Sequence, residues 1–351
     1  MNDPEKTLRT NEAGNIDLSI IVVSFNTAAM THACLTAVLQ SELDHQFELV
    51  LYDNASTDNT RELLATINDP RIRFVFSDVN YGFAGGNNRA AELCKGDKLL
   101  LLNPDTVVDE DAIAAVMQFS EQEPAAGIWG GWTKFADGSP NPTYCWANQS
   151  LWSLVSQSMG LSSLFRASRL CNPEGVGYWN SQSIRKVDIV SGCFFLTTRA
   201  LWDQLKGFDE SFFIYGEEAD FCNKVKKLGY SPMVTKTAML IHHGGASEES
   251  HAGKLIKLLA AKAELIRRYK TPLVASIALS LLWFWPASRA FAHTVLSYFG
   301  VAKSKKGRTT WLAVCHARSY WWPPDAYLTV HERLLIESQN SKKKLHDGLP
   351  T

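Results

Sequence analysis

Residues 17–105 alternate short apolar segments with amphipathic ones, and this alternation constrains the fold more than any other feature. The apolar segments have the length and the β-branched or leucine-rich composition of strands buried on both faces. The segments between them repeat apolar residues at helical spacing. Strands that alternate with helices indicate an α/β fold with a mostly parallel sheet and helices on both faces. We predict strands at 18–24, 47–53, 72–77 and 98–102, and helices at 27–40, 58–67 and 84–94.

Polar side chains stand where three of these predicted strands end. Ser24 and Asn26 lie at the end of the first strand, and Asp53 lies at the end of the second. Asn103 and Asp105 follow the fourth strand. Because ligands of open parallel sheets bind beyond the carboxyl ends of the strands, the sequence predicts a binding site at this edge. Regular structure continues with a strand at 187–199, a helix at 217–228 and a strand at 238–242.

The segment Asn103-Pro104-Asp105 follows four consecutive leucines, so a buried strand would deliver its carboxylate to the edge of the sheet. A carboxylate at this position suits a hard divalent cation that also holds a substrate diphosphate. An Asn-Pro turn before the next helix explains the same residues without a ligand. His242 and His243, at the end of the last predicted strand, are either structural or metal ligands.

Glu217, Glu218 and Asp220 open a predicted helix behind the aromatic segment 212–215. Attraction between acids and the positive end of the helix dipole accounts for them without a function. Alternatively, the aromatic segment shields a carboxylate from water and raises its pKa, which suits a general base for a sugar hydroxyl. Trp146 and Trp179, in an irregular region, are candidate platforms on which an acceptor sugar stacks.

Six segments, in this order, resemble family 2 of the glycosyltransferases and in particular its bacterial rhamnosyltransferase-like members. The resemblance covers about 17–250 and is carried by 19–26, 53–58, 80–88, 103–105, 216–222 and 242–247. It implies a GT-A fold, Rossmann-like with a mostly parallel sheet and flanking helices, and a nucleotide-diphosphate sugar donor. It also implies inversion at the anomeric carbon of the transferred sugar.

The resemblance assigns roles to individual residues. Asp105 and His242 match the metal site, which implies Mg²⁺ or Mn²⁺, although Asn103 replaces the usual first aspartate of the metal motif. Glu218 matches the general base, with Glu217 and Asp220 as further candidates. The residues that match the family's donor site are Ser24, Asn26, Asp53, Asn80, Gly82, Asn88, Asn103 and Asp105.

The C-terminal region is basic: from Lys254 to Arg308 it contains eleven Lys and Arg residues and a single acid, Glu264. We predict a basic amphipathic helix at 253–270, followed by an apolar segment at 273–285 that is too short to span a bilayer and that Arg289 interrupts. This combination is typical of an anchor lying in the membrane surface. Packing against the rest of the chain, homodimer formation and true spanning are the alternatives.

Three regions follow: a disordered tail at 1–16, a GT-A catalytic domain at 17–250 and a helical membrane-associating region at 251–351. Within the catalytic domain, 17–105 would bind the nucleotide and 106–250 the acceptor. The formal net charge of −1 gives no reason to expect a nucleic-acid partner. Seven cysteines without a CxxC pair favour a reducing, cytoplasmic compartment over a disulfide framework.

The sequence therefore predicts an inverting, metal-dependent glycosyltransferase, peripheral on the inner face of the cell membrane. Its donor would be dTDP-rhamnose or a UDP-sugar, and its acceptor a glycan or a lipid-linked glycan of the cell surface. Two alternatives stay open. A glycoside hydrolase also uses paired carboxylates, and a non-catalytic membrane-bound scaffold would tolerate the departures at Asn103 and Glu218.

Overall fold

The computed structural model describes residues 16–176, 184–244 and 250–320. Residues 1–15 of the predicted tail, residues 321–351 and Trp179 lie outside the described residues. The strands are β1 Leu18–Ser24, β2 Phe47–Asn54, β3 Ile72–Ser77, β4 Lys98–Leu102, β5 Thr106–Val108, β6 Ile128–Lys134, β7 Pro140–Asn141, β8 Cys145–Trp146, β9 Ile184–Lys186, β10 Ile189–Val190, β11 Phe194–Thr198 and β12 Met233–His242.

Helices alternate with these strands and then occupy the whole C-terminal part of the described chain. The helices are α1 Ala28–Gln40, α2 Thr60–Leu64, α3 Gly82–Ala91, α4 Ala112–Gln122, α5 Leu151–Met159, α6 Leu161–Leu164, α7 Arg199–Leu205, α8 Glu217–Lys227, α9 His251–Tyr269, α10 Pro272–Tyr298 and α11 Ala302–His316. Short 3₁₀ segments lie at Pro124–Ala126 and Ala317–Tyr320.

Ten of the described strands form one sheet, whose main path runs β3-β2-β1-β4-β11-β6-β12-β5. The four strands at its start pair in parallel, as the sequence predicts. From β4 onward the pairing is mixed, because β11 is antiparallel to both β4 and β6 and β5 is antiparallel to β12. The nucleotide-binding half predicted from the sequence is therefore the parallel half of a mixed sheet.

The central strand β1 is buried on both faces, which explains its unbroken apolar composition. Leu18, Ile20 and Val22 contribute to the hydrophobic cluster on one side of the sheet, together with residues of α1 and α4. Ile21 and Val23 contribute to the cluster on the other side, with residues of α3 and α8. Both clusters fix the register of β1 against its neighbours, because a one-residue slip would exchange the two faces.

The strand predicted at 187–199 is interrupted in the structure. It forms β10 and β11, with Ser191, Gly192 and Cys193 between them. β10 leaves the main sheet to pair with β8, while β11 pairs with β4. Both strands are buried and apolar, which favours one continuous strand, and Gly192 was the local signal of the bend between them.

The C-terminal helices pack on the rest of the chain. A third cluster joins Leu255, Leu259 and Leu282 of these helices to Leu154 of α5 and to Phe212. This contact supports the packing alternative, and it leaves the other faces of the helices available for a membrane.

The helix α10 is longer than the apolar segment predicted at 273–285, because it continues for 27 residues through Pro286. Arg289 does not end it: its guanidinium turns toward α5 and donates to the Gln157 carbonyl at 2.8 Å. By length and composition α10 can cross a membrane, with a mean hydropathy of 1.3 in its most apolar window, one third of which is buried in the protein. That signal is weak, since core helices pass the same criterion.

Candidate active site

Asp53 is a buried carboxylate at the end of β2. It is fully buried, and neither of its carboxylate oxygens has a hydrogen bond of normal geometry within the described residues. Burial raises the pKa of Asp53, and the nearby Ser56 offsets only part of that rise. Because buried polar groups are almost always hydrogen-bonded in proteins, Asp53 is a strong candidate for a contact with ligand.

Ser24 and Asn26 build the loops around Asp53. The Ser24 hydroxyl is buried and lies 2.9 Å from the Thr31 hydroxyl. Asn26 has a φ of 52°, and its side-chain oxygen accepts a 2.7 Å hydrogen bond from the Thr57 amide. Asparagine tolerates this left-handed conformation better than most residues. Asn26 therefore joins the loops after β1 and β2, whereas the Ser24 hydroxyl binds the start of α1. Donor contacts by both residues stay a prediction.

Asn54, next to Asp53, holds the loop before α3. Its side-chain amide donates to the Asn80 side-chain oxygen and to the Gly82 carbonyl, both at 2.9 Å. Its side-chain oxygen accepts from the Tyr81 amide at 2.9 Å. The sequence analysis did not assign Asn54 a role, although its position at the end of a buried strand was the available signal. Asn54 connects the Asp53 side of the site to the predicted diphosphate loop.

Gly82 permits a very close backbone contact at the start of α3. Its φ is +72°, and a Cβ at this position would lie 2.1 Å from the Phe213 carbonyl oxygen. Two amides of this helix start are already engaged, since Gly82 donates to Asn80 at 2.8 Å and Phe83 donates to the Phe213 carbonyl at 2.7 Å. The amides of Gly82 and Phe83 therefore already bind protein atoms and are not free for a donor diphosphate at the start of α3.

Asn88 lies farther along α3 and faces the chain around Phe208. Its side-chain amide donates to the Phe208 carbonyl at 2.9 Å, and its side-chain oxygen accepts from the Phe208 amide at 2.9 Å. Both polar groups of Asn88 are thus engaged in holding the segment 207–213. Its predicted donor contact has no support in this geometry and stays a prediction.

Asp105 and His242 meet where β5 pairs with β12. Asp105 Oδ1 lies 3.4 Å from His242 Nε2, and the His243 amide donates to the Asp105 carbonyl at 3.0 Å. Both side chains of the pair are buried, whereas His243 is exposed. The structure therefore selects His242 over His243 as the histidine that lies beside Asp105.

Charge and burial act in opposite directions on this pair. Burial raises the pKa of Asp105, but His242 and nearby backbone groups lower it by more, so that it lies below its ordinary value. Burial lowers the pKa of His242, whereas Cys193 and Asp105 raise it by more, to about 10. Each member of the pair therefore favours the charged form of the other.

The pair also has features that fit a metal ion. His242 Nδ1 and Asn103 Oδ1 are buried without a hydrogen-bond partner among the described residues. Within the same residues, no group of three or more His, Cys, Asp or Glu side chains is arranged to hold a metal. Two protein ligands are nevertheless enough for a cation that is completed by substrate phosphate oxygens and water.

Glu217 and Glu218 open α8 as the sequence predicts, behind two residues in the left-handed conformation. Tyr215 has a φ of 68° and Gly216 a φ of 97°. Glu217 is buried, and its Oε2 has no hydrogen-bond partner among the described residues. Glu218 is partly exposed, and its Oε2 accepts from the Gly216 amide at 3.1 Å. Of the two side chains, Glu218 is therefore the more accessible to solvent.

The pKa values of both glutamates are raised. Burial raises the pKa of Glu217 well above its ordinary range, and the neighbouring Glu218 carboxylate raises it further. Burial also raises the pKa of Glu218, while backbone hydrogen bonds oppose that rise. A raised carboxylate pKa, close to the working pH, is the property that a general base requires.

Asp220 is buried in the first turn of α8, and its Oδ2 has an ion pair but no hydrogen bond of normal geometry among the described residues. Its Oδ1 accepts from the Tyr269 hydroxyl at 2.7 Å, and its Oδ2 lies 2.7 Å from Lys224 Nζ. These contacts favour a structural role for the Asp220 carboxylate. Its predicted role as a general base has no support in this geometry and stays a prediction.

Trp146 lies in β8, opposite Ile189 of β10. It is partly buried and packs against the hydrophobic cluster that contains Val190 and Phe195. Its role as an acceptor platform stays a prediction. The sequence analysis missed Cys193, whose carbonyl accepts from the Asn103 amide at 3.1 Å, because it predicted one continuous strand at 187–199.

Open α/β sheets of this kind bind ligands in the crevice beyond the carboxyl ends of their strands. The family "Glycosyl transferase family 2" matches residues 19–201, more than half of the chain. The chain therefore belongs to glycosyltransferase family 2, and the resemblance stated from the six segments is confirmed.

Two relatives and one solved structure illustrate this membership. The chain is 26% identical over 240 residues to "N-acetylglucosaminyl-diphospho-decaprenol L-rhamnosyltransferase" of Mycobacterium tuberculosis, covering 64% of this chain and 76% of that protein. It is 25% identical over 246 residues to "O-antigen biosynthesis protein RfbC" of Myxococcus xanthus, covering 68% of this chain but only 18% of that protein. These names support the assignment to rhamnosyltransferase-like enzymes of polysaccharide biosynthesis.

The solved structure is a mannosyltransferase from Pyrobaculum calidifontis in complex with GDP-Man and Mn²⁺. The likeness has a TM-score of 0.53 at 16% identity and covers 88% of this chain and 87% of that one. At this identity the likeness shows the fold alone. The predicted fold class, a GT-A α/β fold followed by a helical C-terminal region, is confirmed.

The two acids at the start of α8 should respond oppositely to neutralisation. We expect Glu217→Gln to leave the free energy of unfolding at pH 7 unchanged or higher, because the glutamine amide stays neutral whereas ionisation of the buried Glu217 carboxyl is unfavourable. We expect Asp220→Asn to lower it by roughly 1.5–3 kcal/mol, because it weakens hydrogen bonds to a charged group. Urea unfolding of both variants measures the difference.

The pH dependence gives the control for this prediction. A carboxyl group whose pKa is raised in the folded state stabilises below its unfolded pKa, and that stability is lost as the pH rises through the folded pKa. The advantage of Glu217→Gln should therefore grow as the pH rises above the ordinary glutamate range. A Glu217→Gln protein that is less stable than wild type at pH 7 and 8 would contradict a raised pKa of Glu217 in the folded protein.

Proposed function

We propose that this glycosyltransferase transfers a deoxyhexose from dTDP-rhamnose, or a hexose from a UDP-sugar, with inversion of the anomeric carbon. The acceptor is a glycan or a lipid-linked glycan used in cell-surface polysaccharide biosynthesis. The relative from Mycobacterium tuberculosis, named as an L-rhamnosyltransferase, supports rhamnose as the first donor to test. The observation that carries the proposal is that Asp53, Asp105 and Glu218 are linked through adjacent loops at one edge of the sheet.

Those links can be followed along the structure. Asn54, beside Asp53, binds the Gly82 carbonyl, and Gly82 contacts Phe213. Phe213 belongs to the loop that leads into Glu217 and Glu218. On the other side, the Asn103 amide binds the Cys193 carbonyl, in the segment between β10 and β11, and β10 packs against α8. These contacts support the proposal that the nucleotide, metal and base positions belong to one site.

Asp53 is the proposed contact for the base or ribose of the donor. Its two unpartnered oxygens are acceptors that match the N–H of a pyrimidine or the hydroxyls of a ribose. Binding would return hydrogen bonds to a carboxylate that now lacks them. The backbone around Ser24 and Asn26 would line the same pocket, with Asn80 and Gly82 at the diphosphate.

Asp105 and His242 are the proposed ligands of a divalent cation, Mg²⁺ or Mn²⁺, with the Asn103 side-chain oxygen beside them. One carboxylate and one imidazole, completed by diphosphate oxygens, form a suitable donor set. When bound, the cation neutralises charge on the departing nucleoside diphosphate. The Mn²⁺ present in the structure of the mannosyltransferase supports this assignment.

Glu218 is the proposed general base. It accepts the proton of the acceptor hydroxyl as that oxygen attacks the anomeric carbon from the face opposite to the diphosphate. Glu217 lies deeper, and burial, followed by the neighbouring Glu218 carboxylate, raises its pKa well above the ordinary glutamate range. One displacement of this kind inverts the anomeric configuration.

Donor binding should be metal-dependent and should require Asp105. We expect dTDP or UDP, with Mn²⁺ or Mg²⁺, to raise the melting temperature of the wild-type protein, because a ligand of the native state stabilises it by mass action. Asp105→Ala should lose the effect of the metal, whereas His243→Ala, a change at an exposed neighbour, should keep it. Absence of any shift with every nucleotide and metal would favour the scaffold alternative.

Glu218→Gln should retain donor binding and lose transfer. A positioned base contributes about 10²–10⁴-fold to the rate, so kcat should fall by a factor in that range. The assay follows labelled sugar from dTDP-rhamnose or a UDP-sugar into lipid extracted from bacterial membranes. Full activity in Glu218→Gln would exclude Glu218 as the base. Release of free sugar from a glycan without any nucleotide donor would instead indicate a hydrolase.

The proposal includes a cytoplasmic location, peripheral on the inner face of the cell membrane. One face of α10 carries large apolar side chains at helical spacing that are exposed in the described part of the chain. Phe291 is 72% exposed and Tyr298 is 88% exposed. These side chains form a stripe that consists of Leu273, Ile277, Phe284, Phe291, Val295 and Tyr298. An apolar helix face with basic helices on either side of it in the chain fits a membrane surface that contains anionic lipid.

Membrane binding should depend on this stripe. We expect the double variant Phe284→Ser, Phe291→Ser to reduce flotation with phosphatidylcholine–phosphatidylglycerol vesicles by about 10-fold or more, because two aromatic side chains lose their burial in lipid. Phe135→Ser, at a similarly exposed position outside the C-terminal region, should have no effect. If the double variant instead converts a homodimer into a monomer, the stripe is a subunit interface.

A further inference from the structure

We propose that α9 of the C-terminal region completes the active site, with Arg268 and Tyr269 as positioning residues for the loop 207–216 and for the first turn of α8. This inference rests on the proposed function, since it concerns the placement of Glu218. Both residues lie well beyond 19–201, the segment that defines the family. The inference therefore gives the C-terminal helices a role in the reaction besides any contact with a membrane.

Arg268 binds both ends of the connection between loop and helix. Its Nη1 lies 2.6 Å from Asp209 Oδ2, at the start of the loop, and 3.4 Å from Asp220 Oδ1, in the first turn of α8. Its Nη2 donates to the Ser211 hydroxyl at 2.6 Å. A planar guanidinium with several fixed donors can hold three groups at once, which a lysine ammonium on a flexible stem does less well.

Arg268 is itself held in place on two sides. Its Nε donates to Glu264 Oε1 at 2.7 Å, one helical turn earlier in α9. Its guanidinium carbon lies 4.6 Å from the centre of the Phe212 ring. Phe212 is fully buried in the cluster that joins the loop to the C-terminal helices. The loop is therefore fixed to α9 both by charge and by apolar contact.

Tyr269 adds a second connection to the same helix turn. Its hydroxyl donates to Asp220 Oδ1 at 2.7 Å and lies 3.2 Å from the Asp220 backbone oxygen. Asp220 is three residues from Glu217 and two from Glu218. Fixing the Asp220 side chain therefore fixes the rotation of the turn that carries the proposed base.

The backbone between these anchors is in a conformation that needs support. Tyr215 and Gly216 both have positive φ, which costs free energy for a tyrosine. A Cβ on Gly216 would lie 3.1 Å from the Ala261 Cβ of α9, so the helix packs directly against this bend. The Gly216 amide in turn donates to Glu218 Oε2. The contacts of α9 therefore reach the base through one hydrogen bond.

The same loop also reaches the donor side of the site. The Phe213 carbonyl accepts from the Phe83 amide at 2.7 Å, and Asn88 of α3 binds both polar backbone groups of Phe208. The loop 207–216 is thus fastened to α3 on one side and to α9 on the other. A shift of α9 would move the base relative to the donor loop.

The test compares Tyr269→Phe and Arg268→Lys with Lys262→Gln. Lys262 is also in α9, but its ion pair, at 2.6 Å, joins Glu174 and lies away from the loop. Each variant removes or weakens polar side-chain contacts of α9. We expect only the first two to lower kcat, by roughly 10- to 100-fold, because a displacement near 1 Å at a reacting group can cost that much. The KM for the donor should change by less than kcat.

The pH profile separates positioning from simple destabilisation. If the Gly216 amide no longer holds Glu218, the charged carboxylate loses a hydrogen bond and its pKa rises. The acid limb of the kcat/KM profile should therefore move to higher pH in Tyr269→Phe and Arg268→Lys and stay in place in Lys262→Gln. Hydrogen–deuterium exchange should be faster in peptides covering 207–218 for the first two variants only.

Two outcomes are distinguishable. If the wild-type protein transfers sugar while Tyr269→Phe and Arg268→Lys keep its kcat, its acid limb and its exchange rates at 207–218, this inference is overturned and the proposed function stands. If the wild-type protein transfers no sugar from any of the nucleotide donors, the proposed function fails and takes this inference with it.

Discussion

The burial of β1 between β2 and β4 is the constraint on which the rest of the structure depends. Each face of β1 packs into a different hydrophobic cluster, so a slip in register would move apolar side chains to the wrong face. The register therefore places Ser24 opposite Asp53 and Val22 opposite Leu102. The polar residues at the carboxyl ends of these parallel strands therefore lie at one edge of the sheet. The site is thus a consequence of how the apolar part of the sheet is packed.

The gathered groups include acids that the fold itself leaves without partners. Burying a carboxylate without hydrogen bonds is unfavourable, yet Asp53 and Glu217 both have buried oxygens without a hydrogen-bond partner in the part of the chain that the structure describes. In contrast, Asp220 and Asp209 are buried or half-buried and are held by cations and hydroxyl groups. The carboxylates of Asp53 and Glu217 are therefore candidates for contacts with a ligand. Those of Asp220 and Asp209 hold the loop and helix around them in place. This division separates candidate functional residues from structural ones within a single motif.

How far the sequence predicts this arrangement depends on the distance between partners along the chain. The parallel strands and their order of appearance were predictable, because a strand buried on both faces has a continuous apolar sequence. The start of α8 and the pairing of Asp105 with a histidine were indicated by motif resemblance. The hydrogen bonds of Asn88 with Phe208 and of Asp220 with Tyr269 were not predictable. Those contacts join residues far apart in sequence, and no local pattern records them.

We propose that Asp53, Asp105 and His242 form the donor site, and a crystal structure of the protein with dTDP and Mn²⁺ would test this assignment. Such a structure should show an anomalous manganese peak bound by Asp105 and His242 and by oxygens of the diphosphate. The thymine or the ribose should lie within hydrogen-bond distance of the Asp53 carboxylate. A nucleotide bound elsewhere, or a manganese ion held without Asp105, would contradict the assignment.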